Sequence, residues 1–356
     1  MAKENTDSVI RVLHITEAFG GGARTAIQGY AALDMSVEHN LLWNERRQIN
    51  AATGPDEGLF AYTAALPESH IAALKTVVAT IRELEPDVVH AHSSFAGVYG
   101  RLAAALTRTP VVYTPHGLST ERKDISKWKR KVFHTAERAL SPLTTVFAGC
   151  STHEGSLLRE LNPRVPNQVV PNALPDAKVA ELPRWADTER ASTPTLCFVG
   201  RITSPRYPEM ACEIAEALEP EGIRCIWAGD GEPELREMVE SSGIEVLGWL
   251  DREALFDRVA SSHVAVHTSR WDGFPMSVLE FRAIGIPTVV SDIPALAECP
   301  DEARFDSATS AVKAIHTALE NPGSVDWSTV EQTYTEEQQR DSLLSAYESA
   351  RRRRKR

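Results

Sequence analysis

The sequence of 356 residues predicts an α/β protein with two doubly wound parallel-sheet domains. Two observations support this fold class. Short apolar segments alternate with amphipathic stretches in both halves of the chain, and a proline-containing segment of mixed charge lies between the halves. Apolar residues make up 42% of the chain, which is enough for two cores. Strands that read as continuous apolar runs are typical of parallel sheets covered by helices on both faces.

Each half contains five segments that we predict to be strands. In the first half they cover 10–15, 40–43, 87–92, 111–115 and 144–149. In the second half they cover 195–200, 223–229, 244–248, 264–268 and 288–291. We therefore predict an N-terminal domain over 1–173, a linker over 174–194, a C-terminal domain over 195–330, a helix over 331–350 and a basic tail over 351–356.

The charge distribution argues against a nucleic-acid partner. The net charge is −11, and residues 176–350 carry 14 basic and 32 acidic side chains, against 18 and 17 in residues 1–175. A nucleic-acid-binding surface should be basic. The N-terminus lacks an export signal, no apolar run reaches the roughly 18 residues of a membrane span, and five scattered cysteines suggest reduced thiols. We expect a cytoplasmic protein.

The segment 270–292, RWDGFPMSVLEFRAIGIPTVVSD, is the most informative part of the sequence. It lies between two apolar strands, so its helix should begin at the carboxyl edge of a parallel sheet, where α/β proteins bind ligands. Pro275 suits the first position of that helix. The amides of Met276, Ser277 and Val278 would then face an anion such as a phosphate.

Two carboxylates flank this helix start. Glu280 lies five residues beyond Pro275, roughly 7.5 Å along the axis, which is about the distance from a diphosphate to its ribose. Asp272 precedes the amides and faces the other end of such a ligand. A carboxylate for a sugar, amides for a phosphate and a carboxylate for a ribose indicate a nucleotide-sugar site.

This segment resembles the donor motif of retaining glycosyltransferases of family 4 with the GT-B fold. That motif has two glutamates eight positions apart, where this chain has Asp272 and Glu280. The resemblance implies two domains facing a cleft, an N-terminal domain for the acceptor, a C-terminal domain for a UDP- or GDP-sugar, and a last helix that crosses back to the N-terminal domain. It also places Phe274 in the donor site, beside Pro275.

A glycine-rich loop, Gly20–Gly22, follows the first predicted strand. Glycines allow the backbone to approach a ligand closely. The dinucleotide-binding pattern G-x-G-x-x-G fails at Thr25, where its last glycine should be. Glu45 lies near the end of the second strand, so binding of a nicotinamide cofactor stays an open alternative. The resemblance places Gly21 and Gly22 near the donor phosphates and the acceptor. A flexible loop without a ligand is the alternative.

Two arginines follow the first strand of the second domain, in FVGRITSPRY (198–207). Arg201 and Arg206 can neutralise a diphosphate and the charge that develops on it as the glycosidic bond breaks. The family pattern has arginine, then lysine and glycine five and six positions later. This chain has Arg206 and Tyr207 at those two positions. We expect Arg206 to keep the positive charge of the family's lysine and to present it on a wider, forked guanidinium group.

Histidines follow strands of the first domain. The resemblance places His116, in PHG, beside the donor sugar, where a neutral imidazole can contact the sugar or the acceptor hydroxyl. His90 and His92 lie on one side of a strand, but no third ligand with recognisable spacing accompanies them, which favours acceptor contact or packing over a metal. The chain has no D-x-D pair, the usual manganese site of metal-dependent glycosyltransferases. We expect no metal and no cofactor.

Two loops of the second domain should close the nucleotide pocket. AGDGEPE (228–234) contributes Gly231, and LGWLDRE (247–253) offers Trp249, Leu250 and main-chain groups to the base. UDP is favoured over GDP.

The stretch 121–140 is basic and amphipathic. Ile125, Trp128, Val132 and Ala136 repeat at helical spacing, and six basic side chains lie between 122 and 131. This pattern is typical of a helix at an anionic membrane surface, and a solvated helix face explains it equally well. The tail 351–356 could add to the attraction.

The sequence therefore predicts a retaining, metal-independent hexosyltransferase that uses a UDP- or GDP-sugar. The acceptor would be a saccharide or a lipid-linked saccharide, as in bacterial surface polysaccharide synthesis, at the inner face of the cell membrane. Two alternatives stay open: a nucleotide-sugar epimerase of the same fold, and a non-catalytic subunit that binds a nucleotide-sugar.

Overall fold

The computed structural model describes residues 9–33, 35–44 and 54–354. The chain divides into two compact units. Unit 1 spans Met1–Glu121, Ser126–Pro175 and Thr335–Arg356, and unit 2 spans Arg122–Ile125 and Asp176–Tyr334. Each unit contains one parallel sheet, which confirms the predicted fold class.

The sheet of unit 1 has seven strands in the order β3-β2-β1-β4-β5-β6-β7. Its strands are β1 Ile10–Thr16, β2 Val37–Trp43, β3 Tyr62–Ala65, β4 Val88–His92, β5 Val111–Thr114, β6 Val146–Gly149 and β7 Asn167–Val169. The five predicted strands are all present. The sequence analysis missed β3 and β7, which lie at the two edges of the sheet and are only half-buried. Short edge strands lack the continuous apolar run that marks a central parallel strand.

The sheet of unit 2 has six strands in the order β10-β9-β8-β11-β12-β13. They are β8 Thr195–Val199, β9 Arg224–Ala228, β10 Glu245–Gly248, β11 Val264–His267, β12 Thr288–Ser291 and β13 Arg304–Phe305. All five predicted strands are present, and the two-residue edge strand β13 was missed. The strand order reverses beside β8, as it does beside β1 in unit 1. Ligands of open α/β sheets bind outside the carboxyl ends of strands at such reversals.

Helices connect the strands and cover the sheets. They are α1 Gly21–Ala32, α2 His70–Leu84, α3 Ser94–Thr107, α4 Lys127–Leu140, α5 Thr152–Leu161, α6 Asp176–Ala180, α7 Pro208–Leu218, α8 Pro233–Ser241, α9 Arg252–Ala260, α10 Met276–Ile284, α11 Ala308–Glu320, α12 Ser328–Thr333 and α13 Glu336–Arg354. No helix in the described part of the chain is long and apolar enough to cross a membrane.

Residues 176–194 of the predicted linker, 174–194, belong to unit 2. It contains α6, and Leu182 and Trp185 pack on a core cluster that includes Phe281. Trp185 Nε1 donates a hydrogen bond to the carbonyl oxygen of Ser262 (2.8 Å). The prolines and charges of this segment predicted a linker, and within it two large apolar side chains, Leu182 and Trp185, pack on unit 2.

The C-terminal region differs from the prediction of one helix over 331–350. Helix α12 ends at Thr333, and α13 begins at Glu336 as part of unit 1. There Gln339 donates to the carbonyl oxygen of Pro171 (2.8 Å), and Tyr347 is fully buried. The predicted tail, 351–356, is not separate where it is described: residues 351–354 complete α13, and the last two residues lie outside the described part.

A buried ion pair holds α4 on unit 1. Arg101 on α3 is fully buried, and its Nη2 lies 2.9 Å from Glu137 Oε2 on α4. The hydroxyl of Tyr113 donates to the other carboxylate oxygen (3.0 Å), and the guanidinium lies 4.2 Å from the centre of the Tyr113 ring. Glu137 is the one buried residue among those described in α4. Glu137 therefore connects this helix to the buried side chains of Arg101 and Tyr113.

We predict that Glu137→Ala lowers the free energy of unfolding by about 3–5 kcal/mol, because it leaves the Arg101 charge buried without its partner. Urea unfolding followed by circular dichroism measures this loss. The matched control is Glu160→Ala, an exposed glutamate on α5, which should change stability by less than about 0.5 kcal/mol. Equal effects of the two substitutions would contradict the anchoring role of Glu137.

Candidate active site

The donor segment forms the predicted strand–loop–helix–strand unit, with one correction at the helix start. Pro275 is the N-cap residue, with φ −73° and ψ 125°, and α10 begins at Met276. The amide of Val278 donates to the Pro275 carbonyl oxygen (3.2 Å), so it does not face a ligand as predicted. The amides of Met276 and Ser277 lie in the first turn, where a helix offers them no acceptor. These two amides keep the position from which they are predicted to face an anion.

Asp272 and Arg206 are in direct contact. Asp272 Oδ2 accepts a hydrogen bond from Arg206 Nη1 (2.6 Å), and Oδ1 accepts one from the amide of Gly273 (2.7 Å). The sequence analysis assigned the carboxylate to a sugar and the guanidinium to a diphosphate, without a contact between them. The ion pair fixes both side chains beside the N-terminus of α10. The guanidinium has five N–H groups, so a phosphate can bind without breaking the pair.

A buried histidine that the sequence analysis did not select supports this pair. His267 ends β11, with Nε2 3.3 Å from Arg206 Nη1 and 2.9 Å from Ser269 Oγ, and Nδ1 3.2 Å from Ser277 Oγ. Burial, together with the charge of Arg206, lowers the pKa of His267 well below its usual value. The ring is therefore neutral and links the arginine to the first turn of α10. The sequence feature that could have identified His267 is a polar residue at the end of a buried strand.

Tyr207 occupies the position where the family pattern has glycine. Its backbone is left-handed (φ 52°), a conformation that glycine adopts without strain and that costs a tyrosine about 1–2 kcal/mol. This conformation explains why the family pattern has a glycine here. The Arg270 guanidinium lies 4.2 Å from the centre of the Tyr207 ring, and Arg270 also pairs with Glu209 (2.9 Å). The tyrosine thus keeps the local backbone shape, with its ring held by a neighbouring arginine.

Gly231 is required by packing between two loops of unit 2. A Cβ atom at this position would lie 2.0 Å from the carbonyl oxygen of Ile202, and one at Gly229 would lie 2.1 Å from that of Gly200. The amide of Ile202 donates to the carbonyl oxygen of Asp230 (2.9 Å). This contact positions the loop that carries Arg201, which is half-buried. Gly231 therefore acts on the predicted site by shaping that loop.

Glu280 on α10 is half-buried and has no hydrogen-bond partner among the described residues. Burial raises the pKa of Glu280 to about 7, and the charge of Arg252 opposes this shift. Hydrogen bonds from ligand hydroxyl groups would stabilise the charged form of this poorly solvated carboxylate.

Three aromatic or apolar residues of the predicted site differ in accessibility. Trp249 is 40% exposed and can contact a base, whereas Leu250 packs against the core. Phe274 is only 2% exposed and stacks on Tyr334, with ring centres 3.8 Å apart. The ring of Phe274 therefore packs inside unit 2, and the place of this residue in the donor site stays a prediction.

In unit 1, His116 follows β5 in a left-handed conformation (φ 53°). The next amide, that of Gly117, donates to Glu154 Oε1 (2.6 Å), and the amide of Cys150 donates to Oε2 (2.9 Å). Burial raises the pKa of Glu154, and the two backbone hydrogen bonds oppose this shift. Sequence reasoning missed Glu154, which holds the His116 loop against the start of α5.

His116 is the end of a row of hydrogen-bonded histidines. His39 Nδ1 lies 2.8 Å from His14 Nε2, His14 Nδ1 lies 2.9 Å from His92 Nε2, and His92 Nδ1 lies 3.0 Å from His116 Nε2. Burial lowers the pKa of all four rings, to about 4 for His39 and His116. We refer to these residues as the histidine row.

His90 lies beside the histidine row and pairs with two hydroxyl groups, those of Tyr347 (2.8 Å) and Thr114 (2.9 Å). The prediction that no third ligand accompanies His90 and His92 is wrong. His14 joins them because β1 and β4 are neighbours, and potential ligand atoms of the three rings lie within 4.8 Å of one another.

The glycine-rich loop lies at the start of α1. Gly21, with φ 54°, and Gly22 are exposed, and a Cβ atom at Gly21 would meet nothing within 4 Å. The backbone is therefore open to a ligand at this point. Glu45, which left a nicotinamide cofactor open, lies outside the described residues. All five cysteines are buried with free thiols, as predicted.

Two parallel α/β units, each with its strand order reversing beside the central strands, are the architecture of the GT-B class. Residues 21–173 match the glycosyl transferase 4-like domain, and residues 193–321 match glycosyl transferases group 1. The chain belongs to the family 4-like glycosyltransferases of the GT-B fold.

Curated relatives agree with this family, and a solved structure agrees with the fold. The chain is 28% identical to the UDP-Gal:alpha-D-GlcNAc-diphosphoundecaprenol alpha-1,3-galactosyltransferase of Escherichia coli, covering 82% of this chain and 81% of the relative. It is 25% identical to a GDP-mannose-dependent alpha-mannosyltransferase of Mycolicibacterium smegmatis, covering 61% and 58%. The structure of Anabaena HepE in complex with UDP-glucose matches with a TM-score of 0.72 at 16% identity, covering 96% of this chain and all of HepE.

The raised pKa of Glu280 predicts a pH-dependent effect of Glu280→Gln on stability. The pKa is about 7 in the folded protein and near 4.5 when solvated, so folding takes up a proton between these values. The wild type should therefore lose stability relative to the variant as pH rises from 4.5 to 7, by up to about 3 kcal/mol. Urea unfolding of both proteins at a series of pH values measures the difference. A constant difference would mean that the carboxylate is well solvated in the folded state.

Proposed function

We propose that this protein is a retaining, metal-independent glycosyltransferase that moves a hexose from a UDP- or GDP-sugar to a saccharide or lipid-linked acceptor. The observation that carries the proposal is the arrangement around the N-terminus of α10 in unit 2. Asp272 and Arg206 lie before it, two amides lie in its first turn, and Glu280 lies one turn further along. These groups follow one another in the same order as the hexose, the diphosphate and the ribose of a nucleotide-sugar.

The charges of this arrangement suit departure of a nucleoside diphosphate. As the bond between the sugar and the diphosphate breaks, negative charge develops on the leaving phosphate oxygen. Arg206, Arg201 and the amides of α10 stabilise that charge. The acceptor hydroxyl attacks the same face, and its proton passes to the leaving phosphate. No described side chain is assigned as nucleophile, and Asp272 is assigned to hydroxyl groups of the sugar.

The two relatives named above use different bases, since one is named for UDP-galactose and the other for a GDP-mannose donor. We favour UDP for this chain. The base would be bound by Trp249 and main-chain groups of its loop, and Glu280 would accept hydrogen bonds from the ribose. Unit 1 would bind the acceptor through the glycine-rich loop and His116.

A lipid-linked acceptor is supported by α4, which would attach unit 1 to an anionic membrane surface. Trp128 is 72% exposed and Val132 46% exposed, so the apolar side of the helix is turned to solvent. Lys127, Lys129, Arg130 and Lys131 crowd the first turns, where the positive end of the helix dipole disfavours them. Anionic lipid would relieve this repulsion, and tryptophan favours the interface. We propose the cytoplasmic face of the membrane as the location.

Helix α4 begins later in the chain than the sequence predicted. It begins at Lys127 with Ser126 as N-cap, so Ile125, Arg122 and Lys123 precede it. Arg122 pairs with Asp124 (2.6 Å) and contributes less to the basic surface than the sequence suggested.

For the donor, we predict that Glu280→Ala weakens binding of UDP and of the UDP-sugar by about 1.5–3 kcal/mol each, because both contain the ribose. Asp272→Ala should leave the UDP affinity nearly unchanged while abolishing transfer. Calorimetry with UDP and a transfer assay separate these effects. An equal loss of UDP affinity in both variants would contradict the assignment of the two carboxylates.

For metal dependence, we predict that transfer activity persists in excess EDTA, because arginines and helix amides neutralise the diphosphate. A coupled assay for released UDP, with and without chelator, measures this directly. Complete loss of activity that manganese restores would contradict metal independence and would direct attention to His14, His90 and His92 as ligands.

For the membrane, we predict liposome binding that increases with the fraction of anionic lipid and decreases with salt, because screening limits the attraction to about 8 Å at physiological ionic strength. Replacing Lys127, Lys129 and Arg130 by glutamate should release the protein in a sedimentation assay. The matched control reverses Arg351, Arg352 and Arg353 on α13 and should have less effect. Unchanged binding of the first variant would make α4 a solvated face and favour a soluble acceptor.

A further inference from the structure

The histidine row restricts how protons are distributed among its four rings. Three nitrogen–nitrogen hydrogen bonds of 2.8–3.0 Å join His39, His14, His92 and His116. No described contact of these rings is with a carboxylate. A neutral imidazole carries one N–H and one lone pair, on different nitrogens. All three hydrogen bonds form at once only if every ring carries its proton on the same type of nitrogen, either Nδ1 throughout or Nε2 throughout.

The two arrangements differ at the buried end of the row. His39 Nε2 is buried and has no hydrogen-bond partner among the described residues. With protons on every Nε2, this atom would be an N–H group buried without an acceptor. With protons on every Nδ1, it is a bare lone pair. Buried N–H groups without a partner are the rarer and more costly defect. The arrangement with Nδ1–H on every ring is therefore favoured.

The other end of the row is accessible. His116 is half-buried, its Nε2 accepts the hydrogen bond from His92, and its Nδ1 has no partner among the described contacts. Its backbone is fixed by the hydrogen bond between the Gly117 amide and Glu154. The free nitrogen therefore offers a hydrogen bond in a fixed direction to solvent or to a bound molecule.

We propose that His39, His14 and His92 are positioning residues that hold His116 as the neutral Nδ1–H tautomer. His116 then donates a hydrogen bond to an oxygen atom of the substrate and does not act as a proton acceptor. The identity of this substrate rests on the proposed glycosyl transfer, in which it is a sugar or an acceptor hydroxyl oxygen. The proton of the acceptor hydroxyl must then leave by another route, such as the departing phosphate.

The test is a long-range ¹H–¹⁵N correlation spectrum of the protein labelled with ¹⁵N-histidine, recorded at neutral pH without ligand. Comparison with His116→Asn assigns the ring of His116. We expect a protonated Nδ1 and an unprotonated Nε2 for His116, and the same pattern for the other rings of the row. A protonated Nε2 on His116, or averaging between the two tautomers, would overturn the proposal. So would one equivalent of tightly bound metal on the purified protein that shifts the signals of His14 and His92.

Two substitutions at the buried end provide a matched pair. His39→Asp places a carboxylate acceptor beside His14 Nε2, so we expect the row to reverse to Nε2–H on His14, His92 and His116, with about a tenfold loss of kcat/KM for transfer. The control His39→Leu supplies no acceptor there and leaves His14 Nε2 as a buried lone pair, so it should keep the Nδ1–H pattern on His116. An unchanged His116 spectrum in His39→Asp would overturn the positioning role. The spectrum of the free protein does not depend on the reaction, so a fixed tautomer without transfer activity would reject only the proposed function.

Discussion

Polar side chains at the carboxyl ends of buried parallel strands must find their partners within the protein. In unit 1, His14 on β1 and His90 and His92 on β4 are fully buried. His14 and His92 are hydrogen-bonded to each other, and His90 is hydrogen-bonded to two hydroxyl groups. In unit 2, His267 at the end of β11 bonds to two serines and to Arg206. An unpaired polar group in such a place costs about 1–3 kcal/mol. This constraint links the strand ends to the loops that carry the candidate site.

The links have functional consequences in each unit. In unit 2, His267 connects Arg206 to the first turn of α10, and Arg206 holds Asp272, so the groups assigned to the diphosphate and to the sugar form one network. The two glycines of the 228–234 loop let it pack on the loop of Arg201. In unit 1, Glu154 and His92 hold His116 from two sides. The site residues are thus oriented before any ligand is present, which reduces the free energy needed to order them on binding.

Much of the fold could be predicted from the sequence because central parallel strands are continuous apolar runs. The strands β3, β7 and β13 were missed because they are short edge strands with partial exposure. Asp272 and Glu280 could be selected because they lie in one short segment. The contact between Arg206 and Asp272 joins residues far apart in sequence, and so does the contact of His14 with His92. Such contacts depend on which strands are neighbours, and local pattern does not contain that information.

Helix starts and side-chain burial were the other source of error. The start of α10 was predicted one residue too early, at Pro275 instead of Met276, since the preference of proline for the first turn does not distinguish the N-cap from the next residue. Phe274 stands in the donor motif, but its ring is buried against Tyr334, which the motif cannot indicate. For α4, the sequence showed an apolar stripe but not whether it faced the core. The structure leaves Trp128 exposed and buries Glu137.

The central claim is that unit 2 binds a nucleotide-sugar without a metal ion, and calorimetry against a panel of UDP- and GDP-sugars tests it most directly. The titrations use the intact chain in buffer that contains EDTA. We predict that one nucleotide-sugar binds with one-to-one stoichiometry, and that the free nucleoside diphosphate with the same base also binds. Absence of binding by every member of the panel, or binding that requires an added divalent cation, would contradict the claim.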